Sequence, residues 1–237
     1  MAPGVLKELP VEVGLEGHEF VGDTEDGGMS VWLSTWNGKE LPRWKELGKE
    51  SELLPSEWPV TPTASNLESG GPQLKAGCRC GGVEFYITRP TEESRLGMPL
   101  ERARWLAANG TKYAAGICSC TSCRKANGFD VQPWAIIPQC NIFRANGEPM
   151  APGVGTLTRA EKEGGSRRDY CSKCGATVFL FPKSRPTLPD VAAGLFKGAG
   201  ARAEDWLQWV KVLHTEDATN KPLVQELSAG LESWAKR

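Results

Sequence analysis

The chain has no excess of either charge. It carries 28 Lys and Arg against 29 Asp and Glu in 237 residues, for a net charge of −1. Without a basic stripe it lacks the electrostatic footprint of a nucleic-acid binder, and no run of like charge reads as an interaction tail. It also lacks any stretch near the roughly 18 apolar residues of a membrane span. The opening segment, MAPGVLKELPVEVGLEG, has neither the basic nor the apolar region of a secretory signal. These absences lead us to expect a soluble cytoplasmic protein with no membrane and no nucleic-acid partner, in which thiols stay reduced. Histidine is scarce, at two, and tyrosine numbers three against nine tryptophans.

What is present is cysteine. Seven of the eight fall into tight groups, Cys78/Cys80, Cys118/Cys120/Cys123 and Cys171/Cys174. Close pairs separated by long intervals are the pattern of metal ligation rather than of a disulfide framework. GCRCGG and YCSKCGA each set two thiols with one or two residues between them and follow them with glycine, which lets the backbone turn its amides toward the sulfurs. Together Cys78, Cys80, Cys171 and Cys174 make a closed four-thiolate zinc site, whose ion would staple distant parts of the chain.

The middle group, CSCTSC, is left with three thiols. Three protein ligands and one exchangeable position is the catalytic pattern for zinc. The fourth place has three candidates in the sequence, Cys140, His18 and His214. Cys140 follows the apolar run IIP and reads as a small buried hydrophobe, and both histidines are distant in sequence. An open position, able to take a soft incoming thiolate, is therefore favoured. Thiolates overcompensate a divalent ion, and the nearby cations Arg79, Arg124, Lys125, Arg167, Arg168 and Lys173 offset them or are ordinary surface charges.

The rest of the chain reads as mainly β. GGVEFYIT alternates Val83, Phe85 and Ile87 with polar residues, PWAIIP is a short buried strand, and GTLTRAEKEGGSRRDYC is strand, Gly-Gly turn, strand. ATVFLFP and DVAAGLF are further strands. AEDWLQWVKVL places Trp206, Trp209, Val210 and Leu213 at helical spacing, although its end also suits a strand. KPLVQELSAGLESWAKR, with Leu223, Leu227, Leu231 and Trp234 on one face, is a C-terminal helix. A short helix is expected around Trp44–Lys49, and residues 62–72, PTASNLESGGP, form a linker by composition. We expect an N-terminal Trp/Pro/Gly-rich extension and linker over 1–73 and a zinc-binding domain over 74–237. GHEFVGDTEDGG and VLHTEDATN echo each other, which fits either the remnant of a tandem copy or coincidence.

GCRCGGVEF, then CSCTSCRKANG with Trp134 six residues on, then YCSKCGATVF, resembles the family of the glutathione-dependent formaldehyde-activating enzymes, which also includes centromere protein V. The resemblance covers roughly Leu74 to Leu213. It implies a β-tent fold of stacked antiparallel sheets stapled by zinc, with peripheral helices. It implies two zinc ions per chain, one held by Cys78, Cys80, Cys171 and Cys174 and a second by Cys118, Cys120 and Cys123, which a glutathione sulfur approaches as co-substrate. The implied activity is that of a carbon–sulfur lyase of the S-(hydroxymethyl)glutathione synthase kind, joining a small thiol to an aldehyde or similar electrophile. Cys118, Cys120 and Cys123 would be its catalytic centre, Arg124 and Lys125 would attract the carboxylates of glutathione, and Trp134 would wall the pocket. Two departures stand out. Ser119 occupies a position that is often histidine in the family, removing a proton carrier, and residues 90–110 form a longer insertion. The alternative is a non-catalytic zinc module that binds a partner protein through the Trp-rich N-terminal segment. A homo-oligomer is compatible with either.

Overall fold

The computed structural model describes residues 14–48, 50–55, 58, 71–161, 165–198 and 200–236. Most of the linker expected over 62–72 and the first thirteen residues lie outside them. The described chain is mainly β with two α-helices, the second C-terminal.

The N-terminal part contributes a small hairpin, β1 (Thr35–Trp36) and β2 (Lys39–Glu40). Its turn is Asn37–Gly38, both with positive φ, the pair that a two-residue turn of the right twist demands. β3 (Gln73–Gly77) and β4 (Glu84–Thr88) then form a second hairpin, joined by the short β8 (Ile142–Phe143) into a three-stranded sheet. Val83, Phe85 and Ile87 are buried, as their alternation requires.

The remaining strands make one eight-stranded sheet. They are β5 (Leu106–Ala107), β6 (Lys112–Cys118), β7 (Gln132–Ile136), β9 (Leu157–Glu161), β10 (Arg167–Cys171), β11 (Thr177–Phe181), β12 (Asp190–Ala192) and β13 (Leu207–Leu213), in the spatial order β13-β6-β7-β12-β11-β10-β9 with β5 against β6. Every pairing is antiparallel except that of β13 with β6, which is parallel. α1 (Thr121–Asn127) follows β6, and α2 (Lys221–Trp234) closes the chain.

Two faces of this sheet have different fates. Asp169, Phe179, Val191 and Ala135 share a face by register, and all are buried, the last three in the main core. Arg168, Leu180, Asp190, Ala192 and Trp134 alternate with them and so share the other face, where the middle cysteines sit.

Three expectations are corrected. Leu207–Leu213 is a strand, not a helix; a register shift between Trp209 and Lys211 lets Leu207, Trp209 and Val212 all turn inward, which mimics helical spacing. Trp44 pairs with Leu53 in an isolated bridge and Lys45 with Glu52, so the described residues there are extended chain and bends rather than a helix. The strand expected over Asp190–Phe196 ends at Ala192 and gives way to a 3₁₀ turn.

The tryptophans of the N-terminal part are used inside the molecule. Trp32 is 1 % exposed, its ring 5.0 Å from that of Trp209 and 5.8 Å from that of Trp234. Trp36 and Trp44 are also buried. α2 buries Leu223, Val224, Leu227 and Leu231 and begins at Asn220, whose side chain caps the Leu223 amide. Gly230 inside this helix answers to contact: a Cβ there would lie 1.6 Å from the Trp32 carbonyl oxygen. Arg202 adds a polar clasp, donating to the Asp26 and Gly28 carbonyls. A tryptophan-rich arm held out for a partner is therefore not what Trp32, Trp36 and Trp44 form.

Candidate metal centres and active site

The first centre assembles from two hairpin turns far apart in sequence. Cys78 and Cys80 follow β3, and Cys171 and Cys174 lie at the end of β10 and in the turn after it. Their four sulfurs all fall within 4.8 Å of one another. Cys78 Sγ is 3.5 Å from Cys80 Sγ, which is 3.6 Å from Cys171 Sγ. Backbone amides point at the sulfurs as the glycine-rich turns require: Val83 N donates to Cys78 at 3.4 Å and Cys174 N to Cys171 at 3.5 Å. Thr156, in the loop before β9, places its hydroxyl 2.9 Å from Cys171 Sγ, and this bond above all brings that thiol down to about 6. No spacing rule signalled Thr156; its amide bonds the Gly82 carbonyl at 2.8 Å, and only the fold brings that loop to the first turn.

The second centre lies at the end of β6. Cys118 is the last residue of that strand, Cys120 the N-cap of α1 and Cys123 a residue within it, and the three sulfurs fall within 4.8 Å of one another. Cys120 Sγ accepts from Cys123 N at 3.4 Å, so the helix start itself fixes two of the three thiols. Hydrogen bonds from the Cys118 and Cys123 thiols hold Cys120 far below the usual thiol range, while the Cys120 contact and burial push Cys118 up. One thiolate forms readily and the next is resisted, the imbalance that a bound cation removes. Among the described residues no fourth His, Cys, Asp or Glu joins this group.

The three proposed fourth ligands are elsewhere. Cys140 turns its thiol to Asn141 Oδ1 at 3.4 Å, His18 bonds the Leu33 carbonyl at 2.7 Å, and His214 is exposed beside Glu216. Ser119 is fully buried and gives its hydroxyl to the Leu213 and His214 carbonyls at 3.2 and 2.8 Å, tying the cysteine loop to the end of β13.

Trp134 shares a buried cluster with Cys118, Cys123 and Ala192 and is 3 % exposed. Lys125 is exposed on α1, whereas Arg124 is buried at 3 % and its guanidinium bonds Thr121. The guanidinium that meets the thiols comes instead from β10. Arg168 Nη2 lies 3.7 Å from Cys123 Sγ and 3.5 Å from Ser122 Oγ, and the group stacks over the Trp134 ring at 5.6 Å. Its neighbour Arg167 faces the opposite way, over Phe181. Further along the face, Asp190 is buried and gripped through both oxygens by Arg185 at 2.7 Å, with burial raising its pKa.

No helix of the described residues is long and apolar enough to cross a membrane. Each thiol group could hold a metal ion. Residues 105–211 match the model of the glutathione-dependent formaldehyde-activating enzyme family. That span contains the second centre and the Cys171/Cys174 pair but not Cys78 and Cys80, which the fold supplies. No curated protein matches the chain. A Rhodobacter sphaeroides protein of known crystal structure is 18% identical, with 57% of this chain and 99% of that one covered; its TM-score of 0.36 is too low to bear on fold or function.

Proposed function

With residues 105–211 forming a domain of the glutathione-dependent formaldehyde-activating enzyme family, we propose that the chain is a zinc-dependent enzyme of the carbon–sulfur lyase kind. Its substrate class is the adduct of glutathione, or another small thiol, with an aldehyde or similar electrophile. The observation that carries this reading is the inequality of the two centres, four thiols in one and three in the other.

The donors suit zinc. Tetrahedral zinc with Zn–S bonds near 2.3 Å sets sulfurs about 3.8 Å apart, close to the 3.5 and 3.6 Å found around Cys80. A zinc ion on Cys118, Cys120 and Cys123 would keep an incoming thiol deprotonated and hold its sulfur in the fourth position. The polypeptide does the rest. Trp134 and Ala192 wall the thiols on one side and exclude water. Lys125, exposed on α1, attracts the carboxylates of the visiting thiol. In the synthetic direction the sulfur bonds to the carbonyl carbon, the C=O electron pair moves to oxygen, and that oxygen takes a proton; cleavage is the reverse. Ser119 is committed to two carbonyls, so the proton comes from solvent or substrate rather than from that position.

The test is a glutathione titration of the cobalt-substituted protein followed by its visible spectrum. A shift in the bands of one of two bound ions is expected. An unchanged spectrum at saturating thiol would leave a scaffold without this chemistry.

A further inference from the structure

Two buried donors on the outer face of the large sheet have no hydrogen-bond acceptor among the described residues: the Trp134 indole Nε1 and Arg168 Nη1. An indole N–H only donates, and a guanidinium has five donors and no acceptor capacity. A buried donor left unpaired forfeits a hydrogen bond it makes freely in water, so each such atom needs an explanation. Here both belong to side chains that meet at the three-thiol centre. Trp134 lies in one buried cluster with Cys118 and Cys123, Arg168 Nη2 lies 3.7 Å from Cys123 Sγ, and the guanidinium lies over the indole at 5.6 Å. Ala192, Leu180 and Leu195 of the same cluster carry no acceptor on their side chains, and Asp190, the carboxylate on this face whose charge Arg168 feels, is gripped through both oxygens by Arg185.

We infer that Trp134 and Arg168 form a binding site for the oxygen carried by the carbon bonded to the visiting sulfur. This rests on the proposal that a thiol adduct occupies the second centre. The sequence of bonds decides which oxygen is meant. Arg168 sits within hydrogen-bonding reach of a sulfur of the centre itself, so the atoms it can meet are those next to the incoming sulfur: first the carbon, then the oxygen on it. The carboxylates of glutathione are many bonds away and fall to Lys125 on the outside. As the C=O pair moves onto oxygen during addition, the charge builds up beside two buried donors that have no partner among the described residues, and cleavage of the adduct retraces the same path. The pair thereby distinguishes an oxygen-bearing adduct from a plain thioether of the same size.

The test uses the zinc-loaded full chain and two ligands that differ by that one oxygen, S-(hydroxymethyl)glutathione formed in place from glutathione and formaldehyde, and S-methylglutathione. The Trp134 indole N–H resonance is assigned by its loss in Trp134→Phe. It should move downfield with the hydroxymethyl ligand and stay in place with S-methylglutathione and with glutathione alone. Trp134→Phe should raise the dissociation constant of the hydroxymethyl ligand roughly tenfold, the worth of one lost hydrogen bond to a partly charged oxygen, and leave that of S-methylglutathione nearly unchanged. Arg168→Lys, which keeps the charge and loses the fork, should do the same. Zinc content and melting temperature confirm that both variants are folded. An indole signal that moves equally with all three ligands would assign the donors to another part of glutathione and overturn the inference. So would a still indole in a protein whose cobalt form responds to the adduct. Silence in both the indole and the cobalt spectrum would overturn the inference and the enzymatic reading together.

Discussion

Cys80 Sγ lies 3.6 Å from Cys171 Sγ, although 91 positions separate the two residues. The contact joins the three-stranded sheet to the far end of the large one, and the thiols around it have the spacing of ligands to one ion. An ion held there would make folding and metal binding a single event at this centre. Stripping the metal with a strong chelator should lower the melting temperature by tens of degrees, and Cys171→Ser should melt at the chelated temperature and gain nothing from added zinc. A Cys171→Ser protein as stable as the wild type would separate the staple from the fold.

The second centre sits on the outer face and closes no long loop, since Cys118, Cys120 and Cys123 span six residues of one strand end and one helix. Cys120→Ser should therefore cost one of two metal ions per chain, read by elemental analysis, and abolish thiol-dependent turnover, with far-ultraviolet circular dichroism unchanged. Full metal content with full turnover would remove Cys120 from the chemistry.

Much of this was readable beforehand, and the failures have physical causes. The cysteine groups were legible because thiols set so close together have few other uses, and α2 because Leu223, Leu227 and Leu231 keep one period throughout. β13 was not, since its register shift replaces a period of two with spacings that a helix also produces. Arg168 was visible only as one of six basic residues near the thiols. Which of Arg167 and Arg168 faces the site depends on a register, Arg168 with Leu180 and Arg167 with Phe181, that no local pattern encodes. Arg124, beside Cys123 in sequence, was the plainer candidate, but a helix turns adjacent residues about 100° apart, and Arg124 is buried.

The N-terminal part should be an integral piece of the fold. Gly230→Ala would drive a methyl group into the Trp32 carbonyl, and we expect a destabilisation of about 3 kcal/mol, the scale of overpacking in a rigid contact. The same variant should expose the segment around Trp32 to limited proteolysis at a temperature where the wild type resists. An unchanged melting curve would mean that α2 and this segment part easily.

His18 gives stability a pH dependence of known sign. Burial lowers its pKa below the usual 6.5, outweighing the bond to the Leu33 carbonyl. Below 6.5 the unfolded chain takes up a proton that the folded chain resists, so the contribution of His18 is present above that value and is lost as pH falls toward its folded pKa. Melting temperatures measured from pH 7.5 down to 5.5 should fall more steeply for the wild type than for His18→Gln. Parallel curves would show that the ring titrates alike in both states.

The central claim is that one centre is closed by the chain and the other leaves room for a visitor's sulfur. X-ray absorption at the zinc edge reads it directly. Four thiols at one site and three at the other give an average of about 3.5 sulfurs per zinc, and saturating glutathione should raise this to about 4. An average already at 4 without glutathione, or one that glutathione leaves unchanged, would contradict the account.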